Sequence, residues 1–216
     1  MNRRDFSAQL AATGLAASSL FAAGRALAQG GPVEGKQYKK IDPPVPATAA
    51  GKIEVIEFFS YGCPHCNAFE PLIAAWSKKL PADVSFARLP VPFLANFENL
   101  MRTYYALEAL GQIDAMQRKV FTAIHVERNT LEKPADIAAL MAKNGLDAAK
   151  FASVFSSFSV ASSVTRAKKT FAQYKIESVP TVAINGRFET SPADAGGLEQ
   201  ALSVTDYLIQ RARIKA

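Results

Sequence analysis

Cys63 and Cys66 are the two cysteines of a 216-residue chain, and they lie three positions apart in the stretch FFSYGCPHC. Such a pair could form a structural disulfide, supply half of a metal site, or act as a reversible redox pair. A disulfide across this spacing closes a loop too small to restrain the unfolded chain much. A zinc site needs about four ligands, and the histidines available are His65, inside the motif, and His125, far along the chain. The pattern therefore favours a redox pair, with no metal and no cofactor expected.

The elements around the cysteines predict different surroundings for the two sulfur atoms. Residues 53–59, IEVIEFF, form a nearly continuous β-branched and aromatic run, which is typical of a strand buried on both faces. Pro64 suits the first position of a following helix, with Cys63 as its cap. The helix has an apolar stripe that, extended backwards by three residues, reaches Cys66. We therefore expect Cys66 to face the core and Cys63 to be exposed at the helix N-terminus; the stripe comprises Phe69, Leu72, Ile73, Trp76 and Leu80.

A cysteine at a helix N-terminus is placed for thiol chemistry. The thiolate is both the nucleophile and the leaving group in disulfide exchange. Unpaired N–H groups and the positive end of the helix dipole stabilise that anion, and a protonated His65 adds a second positive charge. We therefore expect the Cys63 pKa to lie well below its ordinary value of about 8.5, with Pro64 stiffening the turn. Each pKa unit below ambient pH stabilises the reduced form by about 1.4 kcal/mol, which makes the protein more oxidising.

Two further residues have the character of site residues. Glu57 lies six residues before Cys63 in the apolar strand, where burial would raise its pKa and allow it to transfer protons. The alternative is a glutamate on a solvated side of the sheet, as we expect for Glu54 near the strand's start. Pro180 begins a strand in SVPT, and it can be an edge residue or follow a cis peptide bond.

The order of predicted elements indicates an α/β fold. A strand at 53–59 and a helix from Pro64 precede a second strand at Val84–Leu89. Residues 93–174 have a helical pattern, after which Asn185-Gly186 marks a type I′ hairpin and Leu198–Arg213 a closing helix. This order predicts one mixed central sheet flanked by helices, with an all-helical insertion. The expected division is an extended segment at 29–51, a sheet domain at 52–92 and 175–216, and the insertion at 93–174.

The first residues have the features of an export signal. Arg3-Arg4 precede an apolar run from Leu10 to Ala23, and Ala26-Leu27-Ala28 matches a cleavage site. The paired arginines indicate twin-arginine export, with an ordinary secretory signal as the alternative. Residues 1–28 hold three arginines and one aspartate, so the net charge of +6 falls to +4 after cleavage near Ala28. The remaining positive charges are scattered, which predicts no nucleic-acid partner, and a monomer is expected.

Two stretches resemble the DsbA family of periplasmic thiol:disulfide oxidoreductases, which belongs to the thioredoxin superfamily. They are IEFFSYGCPHCNAFEP and SVPTVAINGRF, and the resemblance extends over roughly residues 36 to 213. It implies a thioredoxin fold with an inserted helical domain. It also implies a protein dithiol oxidase whose substrates are exported proteins with cysteine thiols. A membrane protein of the DsbB type is the implied reoxidant.

The resemblance assigns roles to individual positions. Cys63 is implied to be the exposed nucleophile and Cys66 the buried resolving cysteine. The dipeptide between them, Pro64 and His65, would tune the redox potential, and Glu57 would be the buried acid below the motif. The loop at Val179 and Pro180 is implied to face the disulfide, with a cis proline and with Val179 backbone groups that pair with a bound peptide.

Two other functions remain open at this stage. A disulfide reductase or isomerase could use the same fold and the same cysteines. A copper- or zinc-binding module could use the two thiolates as soft ligands, although no methionine or further cysteine lies near the motif.

Overall fold

The computed structural model describes residues 30–214, and the described residues from Glu34 onward form one compact unit. In the described residues, five strands form one mixed sheet in the order β1-β5-β4-β2-β3. β2 is parallel to β3 and antiparallel to β4, and β5 is antiparallel to both β4 and β1. The strands are β1 (Lys39–Lys40), β2 (Ile53–Phe59), β3 (Val84–Pro90), β4 (Thr181–Ile184) and β5 (Phe188–Thr190).

Helices flank this sheet, and five of them follow one another between β3 and β4, as the sequence predicts. These are α2 (Phe97–Ala109), α3 (Ile113–His125), α4 (Pro134–Lys143), α5 (Ala148–Phe155) and α6 (Phe158–Tyr174). The other helices of residues 30–214 are α1 (Pro64–Ser77), α7 (Pro192–Ala195) and α8 (Leu198–Ile214). None of the described helices has the length and apolar character needed to cross a membrane. The predicted signal peptide lies outside the described residues.

The central strand β2 is buried along its whole length, which confirms the prediction from its apolar run. Val55 packs on one face of the sheet, against α1 and α8. Ile56 and Phe58 pack on the opposite face, against α6. Because every position of β2 has a packed neighbour, the strand holds a fixed position for the residues that follow it.

A third core cluster lies where the helical insertion meets the end of β2. It contains Tyr61, Cys63 and Cys66 together with apolar side chains from α2, α3, α4, α5 and α6. The redox motif is therefore packed against the helical insertion as well as against the sheet.

The N-terminal segment, expected as an extended linker, also contributes to the sheet. Lys39 pairs with Glu189, so this segment forms the edge strand β1. The same segment covers Glu54, which is 6% exposed and accepts a hydrogen bond from the Thr48 backbone N–H at 3.2 Å. The expectation that Glu54 lies at the surface is therefore wrong, since the segment before β2 buries it.

The hairpin between β4 and β5 has the predicted turn. Asn185 and Gly186 have φ values of 52° and 60°, as both central residues of a type I′ turn require. The backbone N–H of Val45 donates to the Gly186 carbonyl oxygen at 2.9 Å. The turn therefore also anchors the extended segment that precedes β2.

Candidate active site

Cys63 caps the N-terminus of α1, as the sequence predicts. Its backbone is extended, and its sulfur accepts a hydrogen bond from the Cys66 backbone N–H at 3.4 Å. Pro64 occupies the first turn of the helix, where its missing N–H costs no hydrogen bond. Both cysteines are free thiols in this structure. The sulfur of Cys63 thus lies at the end of the helix where an anion is favoured.

Both cysteines are buried, Cys66 as expected and Cys63 against expectation. Cys66 is 0% exposed, which confirms its predicted burial. Cys63 is only 5% exposed, so the expectation of an exposed thiol is wrong. Val179 lies over Cys63, with its carbonyl oxygen 3.5 Å from Sγ, and the helical insertion packs beside it. Pro64 and His65, between the cysteines, are exposed.

The pKa values of the two thiols are displaced in opposite directions. The pKa of Cys63 is lowered to about 6, chiefly by the hydrogen bond from the Cys66 thiol. Burial opposes this shift, while the backbone N–H groups of Cys66 and His65 and the charge of His65 assist it. The pKa of Cys66 is raised far above its ordinary value, first by burial and then by its hydrogen bond to Cys63. At neutral pH Cys63 is therefore the thiolate and Cys66 the thiol.

Glu57 lies inside the sheet, as predicted, with 1% of its surface exposed. It stands opposite Arg88 in the parallel ladder of β2 and β3, and Arg88 Nε donates to Glu57 Oε2 at 2.9 Å. Burial raises the pKa of Glu57 to about 8 in spite of the Arg88 charge. The same carboxyl group is near enough to Cys66 to raise the pKa of that thiol.

A second buried carboxyl group shares the same arginine. Arg88 Nη2 donates to Glu70 Oε1 at 3.2 Å, and burial raises the pKa of Glu70. Sequence analysis missed both Arg88 and Glu70. The signal for Glu70 was its position four residues after Cys66, one turn along the same helix face. Arg88 was a lone charge inside a predicted strand, but only the pairing register places it beside Glu57.

The loop before β4 lies against the redox motif, with Val179 in contact with Cys63. The Val179-Pro180 peptide bond is cis, which answers the question that the sequence left open. Val179 packs on the same cluster as Cys63 and Cys66. The structure therefore brings Val179 to the redox pair across more than a hundred residues of sequence.

His125, the histidine far along the chain, lies against the residues that lead into the motif. Its Nε2 lies 2.8 Å from the Tyr61 carbonyl oxygen, and its ring stacks on Phe121 at 6.1 Å between centroids. In residues 30–214, no group of three or more histidine, cysteine, aspartate or glutamate side chains is arranged to hold a metal ion.

Comparison with known proteins agrees with this geometry. The family model described as DSBA-like thioredoxin domain matches residues 54–202. The chain belongs to the DsbA family. It is similar to the thiol:disulfide interchange protein DsbA of Pseudomonas aeruginosa, with 42% identity over 94% of this chain and 95% of the relative. DsbA of Bordetella parapertussis is 44% identical over 99% of this chain and 100% of its own length.

Solved structures of DsbA proteins share the fold. The crystal structure of Pseudomonas aeruginosa DsbA has a TM-score of 0.82 at 41% identity, covering 85% of this chain and 96% of the other. DsbA from Xylella fastidiosa has a TM-score of 0.77 at 32% identity, covering 85% of this chain and 98% of the other. The chain is therefore a thiol:disulfide oxidoreductase with the thioredoxin fold of DsbA proteins, rather than a copper- or zinc-binding module.

Proposed function

We propose that the chain introduces disulfide bonds into exported proteins by exchange through a redox-active Cys63–Cys66 disulfide. The observation that carries this direction is the opposite displacement of the two thiol pKa values. A Cys63 thiolate that is stable at neutral pH favours the reduced enzyme over the disulfide. Electrons therefore flow from substrate thiols to the enzyme.

The first step is attack of a substrate thiolate on Cys63 Sγ. A bond forms between the substrate sulfur and Cys63 Sγ, and the Cys63–Cys66 bond breaks. The electron pair leaves on Cys66, which takes up a proton because its pKa is far above neutral. The product is a mixed disulfide between substrate and Cys63.

In the second step a second substrate thiolate attacks the substrate sulfur of the mixed disulfide. The substrate leaves with a new disulfide, and Cys63 departs as a thiolate. Its low pKa makes it a good leaving group. Two electrons have moved from the substrate to the enzyme, which must then be reoxidised.

Three residues tune these steps. Glu57, whose raised pKa keeps it protonated at neutral pH, supplies the proton that the departing Cys66 sulfur requires. Pro64 and His65 adjust the stability of the Cys63 thiolate through the helix N-terminus and through charge. The order of causes at Cys63 gives the His65 charge less weight than the Cys66 hydrogen bond.

Val179 and Pro180 form the substrate-binding loop of this proposal. The Val179 carbonyl oxygen lies 3.5 Å from the sulfur that the substrate attacks. A substrate segment in extended conformation could pair with this backbone and bring its cysteine to Cys63, in the manner of an added strand. Pairing through backbone groups requires little side-chain specificity, which suits an enzyme with many clients.

The cellular setting of the proposal comes from the sequence and the family. Residues 1–28 act as a signal peptide cleaved near Ala28, and the mature protein works in the periplasm as a monomer. A DsbB-like membrane protein reoxidises it. Residues 52–92 and 175–216 form the thioredoxin-like domain, 93–174 the helical insertion, and 29–51 the extended segment in front of them.

An equilibrium redox titration in glutathione buffers tests the proposed direction. We expect a midpoint above about −150 mV, at the oxidising end of the range for such proteins. A midpoint below about −230 mV would place the pair among reductants and contradict the proposal. Trapping of free thiols in cell extracts is the companion measurement, because an oxidase is held mostly oxidised and an isomerase mostly reduced.

A further inference from the structure

Tyr61, two residues before Cys63, is held at both ends by helix α3. Its side chain is 0% exposed, and its hydroxyl donates to Gln117 Oε1. Its backbone carbonyl oxygen lies 2.8 Å from His125 Nε2. Gln117 and His125 are about two turns apart on α3. One helix of the insertion therefore holds the loop that leads into the redox motif through two hydrogen bonds to Tyr61.

The other end of the Gln117 amide points to the buried acid pair. Because Oε1 accepts from Tyr61, the amide nitrogen is the end left for Glu70, whose pKa it lowers. Gln117 Nε2 and Glu70 Oε2 do not meet hydrogen-bond geometry, although one is a donor and the other an acceptor. Both residues line one cavity of about 630 Å³, together with Arg88. The two groups thus interact as an amide dipole beside a carboxyl group.

The charge on Glu70 affects Glu57. Both carboxyl groups contact the same guanidinium group of Arg88, and a negative charge on Glu70 raises the pKa of Glu57. Glu57 and Glu70 therefore compete for one proton. The groups that surround each carboxyl group determine which of the two holds it.

We propose that Tyr61 and Gln117 are positioning residues of the redox site, which keep Glu70 ionised and thereby hold the shared proton on Glu57, beside Cys66. The phenol fixes the orientation of the amide, and the amide nitrogen stabilises the Glu70 carboxylate. The inference rests on the proposed role of Glu57 as the acid for Cys66. It adds that the helical insertion takes part in the chemistry through α3.

The other charged and titratable groups around the pair are compatible with this arrangement. Arg118 on α3 also favours ionised Glu70, and its position is set by hydrogen bonds to Asn67 O and Oδ1 at 3.0 and 2.9 Å. Burial raises the pKa of Tyr61 well above its ordinary value, so it remains a neutral donor. Tyr104 on α2 is likewise neutral, and its hydroxyl donates to Glu108 instead of to the acid pair.

The test follows the reduction of the Cys63–Cys66 disulfide by dithiothreitol as a function of pH, with the rate corrected for the thiolate fraction of the reagent. In the wild type this rate should fall as Glu57 loses its proton, and Glu57→Gln should remove that inflection. In Tyr61→Phe the amide can rotate and present its oxygen to Glu70, which then competes better for the proton. Because loss of the oriented amide dipole moves proton affinity from Glu57 to Glu70, we expect the inflection to move down by about half a pH unit or more.

Tyr104→Phe is the matched control, because it also removes one buried phenolic hydroxyl from the same core cluster. It should leave the inflection in place. Gln117→Met removes the amide while keeping a side chain of similar length, and it should shift the inflection in the same direction as Tyr61→Phe. This second variant gives the answer if Tyr61→Phe does not fold.

An inflection that is unchanged in both Tyr61→Phe and Gln117→Met would overturn the inference. So would an equal shift in Tyr104→Phe, or a wild-type profile without the inflection. None of these results would affect the proposed direction of electron flow, which the redox titration decides separately. Conversely, a strongly reducing midpoint would contradict the oxidase function and leave the pH profile interpretable, because the profile is measured on the disulfide itself.

Discussion

The chemistry of this protein depends on two thiols that share one hydrogen bond and yet have opposite properties. The bond from Cys66 is the largest cause of the low Cys63 pKa, and it also contributes to the high pKa of Cys66. The same contact therefore makes one sulfur a thiolate and keeps the other protonated. The intervening His65, which the sequence predicts to add a second positive charge, is exposed and adds its charge through solvent.

The relative weight of these contributions can be measured on the reduced protein. We expect Cys66→Ala to raise the Cys63 pKa more than His65→Ser does, because it removes the largest stabilising contact. His65→Ser should still make the protein less oxidising. Its reduction potential should fall by about 30 mV for each tenfold change in the equilibrium constant between the dithiol and the disulfide. Thiolate absorbance against pH gives the pKa, with exposed Ala68→Ser as the control. A larger effect of His65→Ser would show that charge outweighs the hydrogen bond.

Arg88 is the cation on which two buried carboxyl groups depend. We expect Arg88→Leu to cost about 3–5 kcal/mol of unfolding free energy at neutral pH, because it leaves Glu57 and Glu70 without their partner. Their pKa values would then lie further above the unfolded values, so the loss should be smaller at pH 5 and larger at pH 8.

Urea denaturation at the two pH values measures this dependence. Lys143→Met is the control, since Lys143 and Glu127 form an exposed ion pair 3.2 Å apart that should contribute no more than about 1 kcal/mol. An Arg88→Leu variant that loses equal stability at both pH values would argue against buried, uncompensated carboxylates.

At the scale of elements, the redox motif is positioned by three junctions. The end of β2 leads into α1, the loop at Val179 precedes β4, and α3 holds Tyr61 from the helical insertion. The hairpin at Asn185-Gly186 fixes the far end of β4 and the segment before β2. Changes at that turn should therefore affect the sheet while leaving the chemistry of the cysteines unaltered.

Gly186 tests this separation between stability and chemistry. An added Cβ would lie 1.7 Å from the Val45 carbonyl oxygen, at a residue whose φ is +60°. We expect Gly186→Ala to cost about 2–4 kcal/mol through backbone displacement and strain. Gly145→Ala is the matched control, because its φ is +86° but its Cβ would meet open space, and it should cost about 1 kcal/mol.

Both glycine variants should keep the reduction potential of the wild type, measured in the same glutathione titration. A changed potential in Gly186→Ala would mean that the hairpin is coupled to the redox pair through β4. Equal stability losses in the two variants would mean that the approach of Val45 to the turn is unimportant.

At the scale of the whole molecule, the low pKa of Cys63 links the redox state to stability. A group whose pKa falls on folding stabilises the folded state above its unfolded pKa of about 8.5, and this contribution is lost as pH falls through about 6. Only the reduced protein has this thiolate. Between about pH 6 and pH 8.5, the unfolding free energy of the reduced protein, relative to that of the oxidised protein, should therefore rise with pH. The rise should be up to about 1.4 kcal/mol for each pH unit.

Denaturation of both redox forms at pH 5 and pH 8 measures that difference. We expect the advantage of the reduced form to be clearly larger at pH 8. A variant with both cysteines replaced by serine, treated with the same oxidant and reductant, should give identical curves. A reduced form that gains nothing between the two pH values would contradict the thiolate assignment at Cys63.

The sequence by itself determined the features that depend on neighbouring residues. The helix cap at Cys63, the proline in the first turn, the buried pattern of β2 and the turn at Asn185-Gly186 all follow from local conformational preferences and side-chain periodicity. Burial of Cys66 and Glu57 followed in the same way, since each lies in a periodic apolar pattern.

The tertiary structure alone decided the contacts between distant segments. The family resemblance implied that Val179 faces the disulfide, but only the packed structure shows that it covers Cys63. The link from Tyr61 to Gln117 joins residues on separate elements that no local pattern relates. Glu54 is buried because the segment before β2 packs over it. Arg88 reaches Glu57 because β2 and β3 pair in one particular register, and a shift of one residue would turn its side chain to the other face. Electrostatics at this site depends on such distances and on burial, so the sequence identifies the reacting cysteines whereas the packed structure sets their protonation.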